Sequence, residues 1–373
     1  MFIILHYCCT IVCAKQFCPT FMKVAKKSTI KTIAAHVGVS VTTVSRVMTG
    51  QATDYRISKG TEIAIRGAAE KLDYAPNQLA RGLRNRQTYT IGLVIPDIAN
   101  PFFSSIAKVV EMEARKAGYS IILCDSQEST NIEIDALRLL QTRNVDGLII
   151  SSVGQDGKHL ERLAQQGIPM VVVDRSFPNL KCPSVSSDNY QGALDAVSYL
   201  IENGHRMIAC IQGLRHTSPN EDRVRGYRDA HQRHHLAVNE SLIVGDSFGE
   251  NNGYIETKIL LKRANRPTAI FAVSNLISLG VLRAVAEEGL KIRDDVSVIS
   301  FDDQPYSNYL ATPMTTVAQQ NYEIGKIACK LLFEQIRFKK PPDAKSFVVP
   351  TKLIVRQSVK KIGPISFDES LRN

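Results

Sequence analysis

From Thr90 onward the chain carries short runs that are apolar at nearly every position: TIGLVIPD, YSIILCD, VDGLIIS, PMVVVD, RMIACIQG, TAIFAVS and VSVISFDD. A strand with one face in water alternates apolar and polar residues, so runs without alternation belong to a sheet covered on both faces. The stretches between the runs have helical periodicity and supply the covers. They fall at 102–117, 132–142 and 159–166 in a first series, and at 190–203, from Asp222 and from Ile277 in a second. A long helix at 322–338 and a strand region at 347–356 follow. Parallel strands need such crossovers, and two series of them predict an α/β core of two doubly wound lobes over residues 89–360. A tail, 361–373, completes the chain.

A different pattern precedes the core. In TIAAHVGVSVTTVSRVMTG, residues 32–50, apolar residues recur at helical spacing through Ile33, Ala34 and Val37, break at Gly38 and Val39, and resume at Val44, Val47 and Met48. Two short helices joined by a tight turn fit this spacing, with Ser40 placed to cap the second. A third helix, TEIAIRGAAEKLDY, closes over them through Ile63, Ala64, Ala68 and Leu72. The outward side of the second helix holds Val41, Thr42 and Arg46. In a helix-turn-helix that side enters the major groove, where arginine pairs bidentately with guanine and a methyl group meets thymine. Thr43 and Ser45 suit phosphate oxygens. A head at 28–75 is followed by a basic hinge and linker at 76–88.

Charge supports this assignment. Between Met22 and Thr90 stand twelve basic residues against four acidic ones, most of the net +10 of the 373-residue chain. Such asymmetry is the electrostatic footprint of a phosphate-binding module. No apolar run approaches the roughly 18 residues of a membrane span, so the expectation is a protein free of the membrane. Residues 1–27 form an extension. Within it, 1–21 hold Cys8, Cys9, Cys13 and Cys18, yet offer neither a basic start with a cleavage site nor a zinc pattern. The reading here places the start of translation at Met22. Cys124, Cys182, Cys210 and Cys329 are scattered, as expected of free thiols in a reducing cytoplasm.

In order along the chain, STIKTIAAHVGVSVTTVSRVM, DYAPNQLARGLR, TIGLVIPDIANPFF, VDGLII, Arg223 to Gly226 as R-x-x-G, and VSVISFDD resemble landmarks of the LacI/GalR family of bacterial transcription regulators. The resemblance runs from about Ser28 to about Val359. It implies a helix-turn-helix head on a periplasmic-binding-protein-like core. It also implies a homodimer, in some members a tetramer, on a palindromic operator, and a small molecule that enters between the lobes and changes DNA affinity. Val41, Thr42 and Arg46 fall at its base-reading positions. Leu83 falls at the hinge leucine that wedges into the minor groove, and Ala80 and Arg81 where the hinge touches the groove floor and backbone. Two departures stand out: the loop at 49–59 is longer than usual, and Val41 is apolar where many relatives carry a polar reader.

The resemblance also marks an effector site. Phe102 and Phe103 border it, and Arg223 and Asp302 are its strongest polar candidates. Phe248, Ser274 and Asn275 join them from the second lobe. A sugar or sugar derivative is the default effector, with a nucleobase or nucleoside as the alternative. Thr217 stands where purine-binding relatives carry a second arginine, which speaks against a purine. No cofactor or metal is expected. His231, His234 and His235 form a metal-like grouping that reads as the surface of a charged helix end. Two rivals fare worse. A periplasmic transport protein would lack the basic head, and an enzyme would show a G-x-G-x-x-G, a G-x-S-x-G or a metal cluster.

Overall fold

Thr29, Ser40 and Ser58 each start a helix by accepting a hydrogen bond from a backbone N–H three residues on. These caps satisfy donors that a helix start would leave unpaired. They set α1 (Ile30–Val37), α2 (Val41–Met48) and α3 (Lys59–Lys71) in a computed structural model that describes residues 28–74, 87–338 and 345–363. Gly38 ends α1 with φ 74°, a left-handed conformation that glycine adopts without steric cost. The turn between α1 and α2 follows from that residue. Ile33, Ala34, Val44, Val47, Ala52, Ile65, Ala68 and Ala69 form the core of this unit.

One expectation fails here. Ile63 is 71% exposed and Ala64 is exposed, while Ile65 is fully buried. Residues two apart on a helix point to opposite sides, so Ile63 and Ile65 cannot both face inward. The buried stripe runs through Ile65, Ala68 and Ala69, with Leu72 packed beside it.

The described residues from 87 onward form a second compact unit. Its first lobe is built from β1 (Thr90–Ile95), α4 (Pro101–Lys116), β2 (Ser120–Asp125), α5 (Thr130–Thr142), β3 (Gly147–Ile150), α6 (Lys158–Gln165), β4 (Met170–Val173) and β5 (Ser184–Ser187). Its second lobe takes α7 (Asn189–Glu202), β6 (Ile208–Ile211), α8 (Ser218–Arg233), β7 (Ile243–Val244), α9 (Glu250–Leu261), β8 (Ala269–Ala272), α10 (Asn275–Glu287), β9 (Ser297–Phe301) and β10 (Thr315–Ala318). The chain then returns with α11 (Asn321–Phe338) and β11 (Ser346–Val349) to the first lobe, and crosses once more to place β12 (Lys352–Ile354) in the second.

The first sheet has the order β11-β5-β4-β3-β1-β2 and the second β12-β10-β9-β8-β6-β7. All pairings are parallel except β10 with β12. Leu93 faces Leu123 on one side and Ile149 on the other. The central strands are buried on both faces, as their unbroken apolar runs require. One first-lobe core joins α4 and α11 to the sheet and another joins α5 and α6 to its opposite face.

The expected strand region at 347–356 is two strands in different sheets. Helix α8 starts four residues before Asp222, because Pro219 sits in its first turn. His231 is buried rather than on the surface, its Nδ1 2.9 Å from the Tyr227 carbonyl oxygen. Among the described residues no helix is long and apolar enough to cross a membrane.

Candidate functional site

Open parallel sheets leave a crevice beyond the carboxyl ends of their strands, where loops carry polar groups. In this core the ends of β1, β4, β6, β8 and β9 meet there, and the cleft between the lobes contains about 380 Å³ of empty space, part of it open to solvent. All seven sequence-derived candidates, Phe102, Phe103, Arg223, Phe248, Ser274, Asn275 and Asp302, line it. So do Asn100, Glu128, Asp174, Arg175, Pro219 and Gln319, which sequence reasoning missed.

The apolar wall is built at the start of α4. Asn100 caps the helix by accepting from Phe102 N–H at 3.0 Å, and Pro101 occupies the first turn. The two phenyl rings then meet edge to face at 5.0 Å and are nearly buried. Phe248 closes the other side against Gly213. A Cβ on that glycine would lie 2.2 Å from Phe248 Cε1, so only a glycine lets the ring sit there.

Two buried guanidiniums are already largely engaged. Arg223 donates to Asn189 Oδ1 at 2.9 Å and to the Val273 carbonyl at 2.6 Å, and stacks 3.7 Å from the centre of the Phe301 ring. Burial presses its pKa down, and Asp302 and Asp174 oppose that. Arg175 pairs with Glu128 at 3.2 Å and donates to the Val153 carbonyl.

The carboxylates differ. Asp302 accepts from Asn275 N–H at 3.1 Å and from the Gln319 side-chain amide. Asp174 donates its backbone N–H to the Val185 carbonyl at 2.9 Å, but no hydrogen bond engages its carboxylate among the described residues, and burial pushes its pKa up to about 6 against the pull of Arg223 and Arg175. Arg175 Nε, Asn275 Oδ1 and Gln319 Oε1 are also buried without partners. Ser274 is spent on structure, capping α10 and donating to the Phe248 carbonyl at 3.3 Å. Among the described residues, hydrogen bonds cross the cleft from Asn275 Nδ2 to Asn100 Oδ1 at 3.1 Å, from Gln155 Nε2 to the Arg215 carbonyl at 2.8 Å, and from Ser176 N–H to Ser218 Oγ at 2.8 Å.

On the head, Val41 is 45% exposed and Thr42 is exposed beside it at the start of α2. Thr43 Oγ1 lies 2.8 Å from Ser40 Oγ and so belongs to the cap. Ser45 is half-buried. Arg46, one turn after Thr42, lies over the ring of Tyr55. Ala80, Arg81 and Leu83 lie outside the described residues.

Missing Asp174 was avoidable, since it follows the apolar run PMVVV as Asp302 follows VSVISF. Arg175 and Glu128 carry no comparable signal, because only the folded loops bring them to the cleft.

Comparison with known proteins adds the family. Residues 29–77 match the model of bacterial regulatory proteins of the lacI family, and residues 197–359 match the periplasmic binding protein-like domain. The ribose operon repressor of Halalkalibacterium halodurans is 36% identical over 333 residues, which cover 89% of this chain and 97% of that protein. A LacI family transcriptional regulator from Enterococcus faecium, solved with bound ribose, is 29% identical with a TM-score of 0.66, over 74% of this chain and 100% of that one. The lac repressor dimer bound to operator and an anti-inducer shares the fold, with a TM-score of 0.79 at 24% identity over 90% of this chain and 100% of that one. Since the resemblance extends from the head through both lobes, the chain belongs to the lacI family of bacterial regulatory proteins.

Proposed function

We propose that this protein is a cytoplasmic, sequence-specific DNA-binding repressor, without enzymatic activity, whose operator affinity is set by a small uncharged sugar bound between the lobes. The cleft's unmatched groups carry the ligand assignment. Asp174 and Asn275 Oδ1 and Gln319 Oε1 are acceptors in want of donors, and Arg175 Nε is a donor in want of an acceptor. A buried polar group left unsatisfied costs about 1–3 kcal/mol, and a hydroxyl both donates and accepts through a single oxygen. A polyol with an apolar ring face meets these groups and the wall of Phe102, Phe103 and Phe248 together. Charge argues against a phosphorylated sugar, because the three acids of the cleft outnumber its two arginines. The ribose-bound and ribose-operon relatives support a pentose.

On the DNA side, Val41, Thr42 and Arg46 read base edges in the major groove, and Thr43 and Ser45 meet phosphates. Ala80, Arg81 and Leu83 serve the minor groove. Two such heads in a homodimer match a palindromic operator.

A thermal-shift screen of the full chain against ribose, other free pentoses and hexoses, sugar phosphates and nucleobases tests the ligand. A free sugar at 100 times its Kd should stabilise the protein by about 2.7 kcal/mol. Stabilisation by a nucleobase or a sugar phosphate, with none by any free sugar, refutes the assignment.

A further inference from the structure

The loop after α2 folds back as a single turn. Gln51 N–H donates to the Arg46 carbonyl at 2.9 Å, Tyr55 N–H to the Gln51 carbonyl at 3.3 Å, and Ile57 N–H to the Ala52 carbonyl at 2.9 Å. Ala52 anchors the turn in the head core, and Arg56 ends it in the left-handed region at φ 50°. The turn brings the Tyr55 ring beneath Arg46, whose guanidinium carbon stands 3.7 Å from the ring centre. No hydrogen bond or ion pair engages that guanidinium among the described residues.

We propose that Tyr55 is a positioning residue for Arg46, holding its guanidinium flat so that the arginine presents a preformed two-pronged donor to one operator base pair. This rests on the reading of α2 as the base-contacting helix. An arginine side chain has many rotamers, and fixing it before binding removes part of the entropy cost of fixing it on DNA. Stacking occupies the face of the guanidinium and leaves its N–H groups, which lie in the plane at the edge, free. Arg46 shares a helix face with Thr42 one turn earlier, so the held donor lies on the same side as the other outward residues.

Tyr55 is about half-exposed and lies outside the head core, so its replacement spares folding. The test uses the full-length protein. Selection from a random duplex library yields the preferred operator, and fluorescence anisotropy on its single-base-pair variants yields the discrimination at each position. Arg46→Ala identifies the base pair that Arg46 reads. Tyr55→Ala should then lower discrimination at that pair about two- to fivefold, the size of an exposed cation–π contact, with an unchanged melting temperature. Tyr55→Phe should retain discrimination, and Tyr55→Leu should behave like Tyr55→Ala. Full discrimination in Tyr55→Ala, or a loss spread evenly over all positions, overturns the proposal while leaving Arg46 as a reader. If Arg46→Ala alters no single position, the underlying reading of α2 fails with it.

Discussion

Asp174 and Asp302 stand directly after β4 and β9, one in each lobe, and both have a left-handed backbone with φ 72°. Residues other than glycine, asparagine and aspartate seldom adopt this conformation, and it persists only where surrounding structure enforces it. In each case it turns the chain sharply at the strand end and leaves the carboxylate on the cleft. The two lobes thus offer matched acceptors, one committed to Asn275 and Gln319, the other open.

If the cleft takes a sugar as proposed, the open acceptor should make its binding pH-dependent. Burial raises the Asp174 pKa to about 6, so the empty protein holds this carboxyl neutral in mild acid. A sugar hydroxyl that donates to Asp174 bonds the ionised form more strongly than the neutral one. Affinity should therefore be constant above about pH 7 and weaken below pH 6, by at most about tenfold per pH unit, the limit set by linkage of one proton. Stability of the unliganded protein runs the other way. A raised folded-state pKa contributes stability below the unfolded value of 3.8, and that contribution is lost as pH rises through about 6. Asp174→Asn should remove both trends, and its difference from the native protein should reach about 1–3 kcal/mol at neutral pH. Calorimetric titrations and urea melts at pH 5 and pH 8 measure the two. An unchanged pH profile in Asp174→Asn would assign the titration elsewhere.

Gly213→Ala tests the aromatic wall. Its new Cβ falls within 2.5 Å of three Phe248 ring atoms, so the ring must swing away. Overpacking of this kind costs about 1–3 kcal/mol. Here the loss should appear in sugar affinity more than in stability, because Phe248 is only partly buried and can move toward solvent. A variant that binds sugar normally and melts normally would show that the Phe248 ring takes no part in the site.

Glu133 makes a prediction about stability. It is fully buried and accepts from Ser152 Oγ at 2.7 Å, Val153 N–H at 2.6 Å and His159 Nε2 at 2.5 Å. Removing the histidine takes one hydrogen-bond partner from a buried carboxyl, at about 1–3 kcal/mol. His159→Ala should lower the urea stability by an amount of that order. It should also weaken sugar binding, since Val153, held by Glu133, offers its carbonyl to Arg175 in the cleft. Loss of stability with sugar affinity intact would separate this network from the site.

How much of this was legible in the sequence depended on how local each signal was. Unbroken apolar runs gave the central strands, because burial on both faces leaves no alternation to misread. Strand β5 escaped, since PSVSS is polar and earns its place by pairing with β4 and β11. Ile63 and Ile65 were confused because composition makes both look like core residues, and only the start of α3 at its Ser58 cap fixes which one turns inward. The cleft split the same way. Phe102, Arg223 and Asp302 sit in motifs, whereas Glu128 and Arg175 meet through loops 47 residues apart in sequence.

Asp302 tests the coupling between cleft and DNA. Its carboxylate joins the N-terminal end of α10 to Gln319, on the segment where the chain passes from β10 back to α11 in the first lobe. A sugar that also bonds Asp302 would therefore act on a residue tied to a crossover between lobes, and a ligand shifts an equilibrium only through such differential contacts. Asp302→Ala removes the acceptor and strands the Asn275 N–H and the Gln319 amide. Operator affinity without sugar should stay within about twofold of the native value, about 0.5 kcal/mol, because the DNA-contacting surface is untouched. The change in operator affinity on adding saturating sugar should vanish. Anisotropy titrations of operator DNA with and without sugar read both. An Asp302→Ala variant that still responds fully would remove this carboxylate from the switch, and one that loses operator binding without sugar would make Asp302 a support for the DNA-binding form.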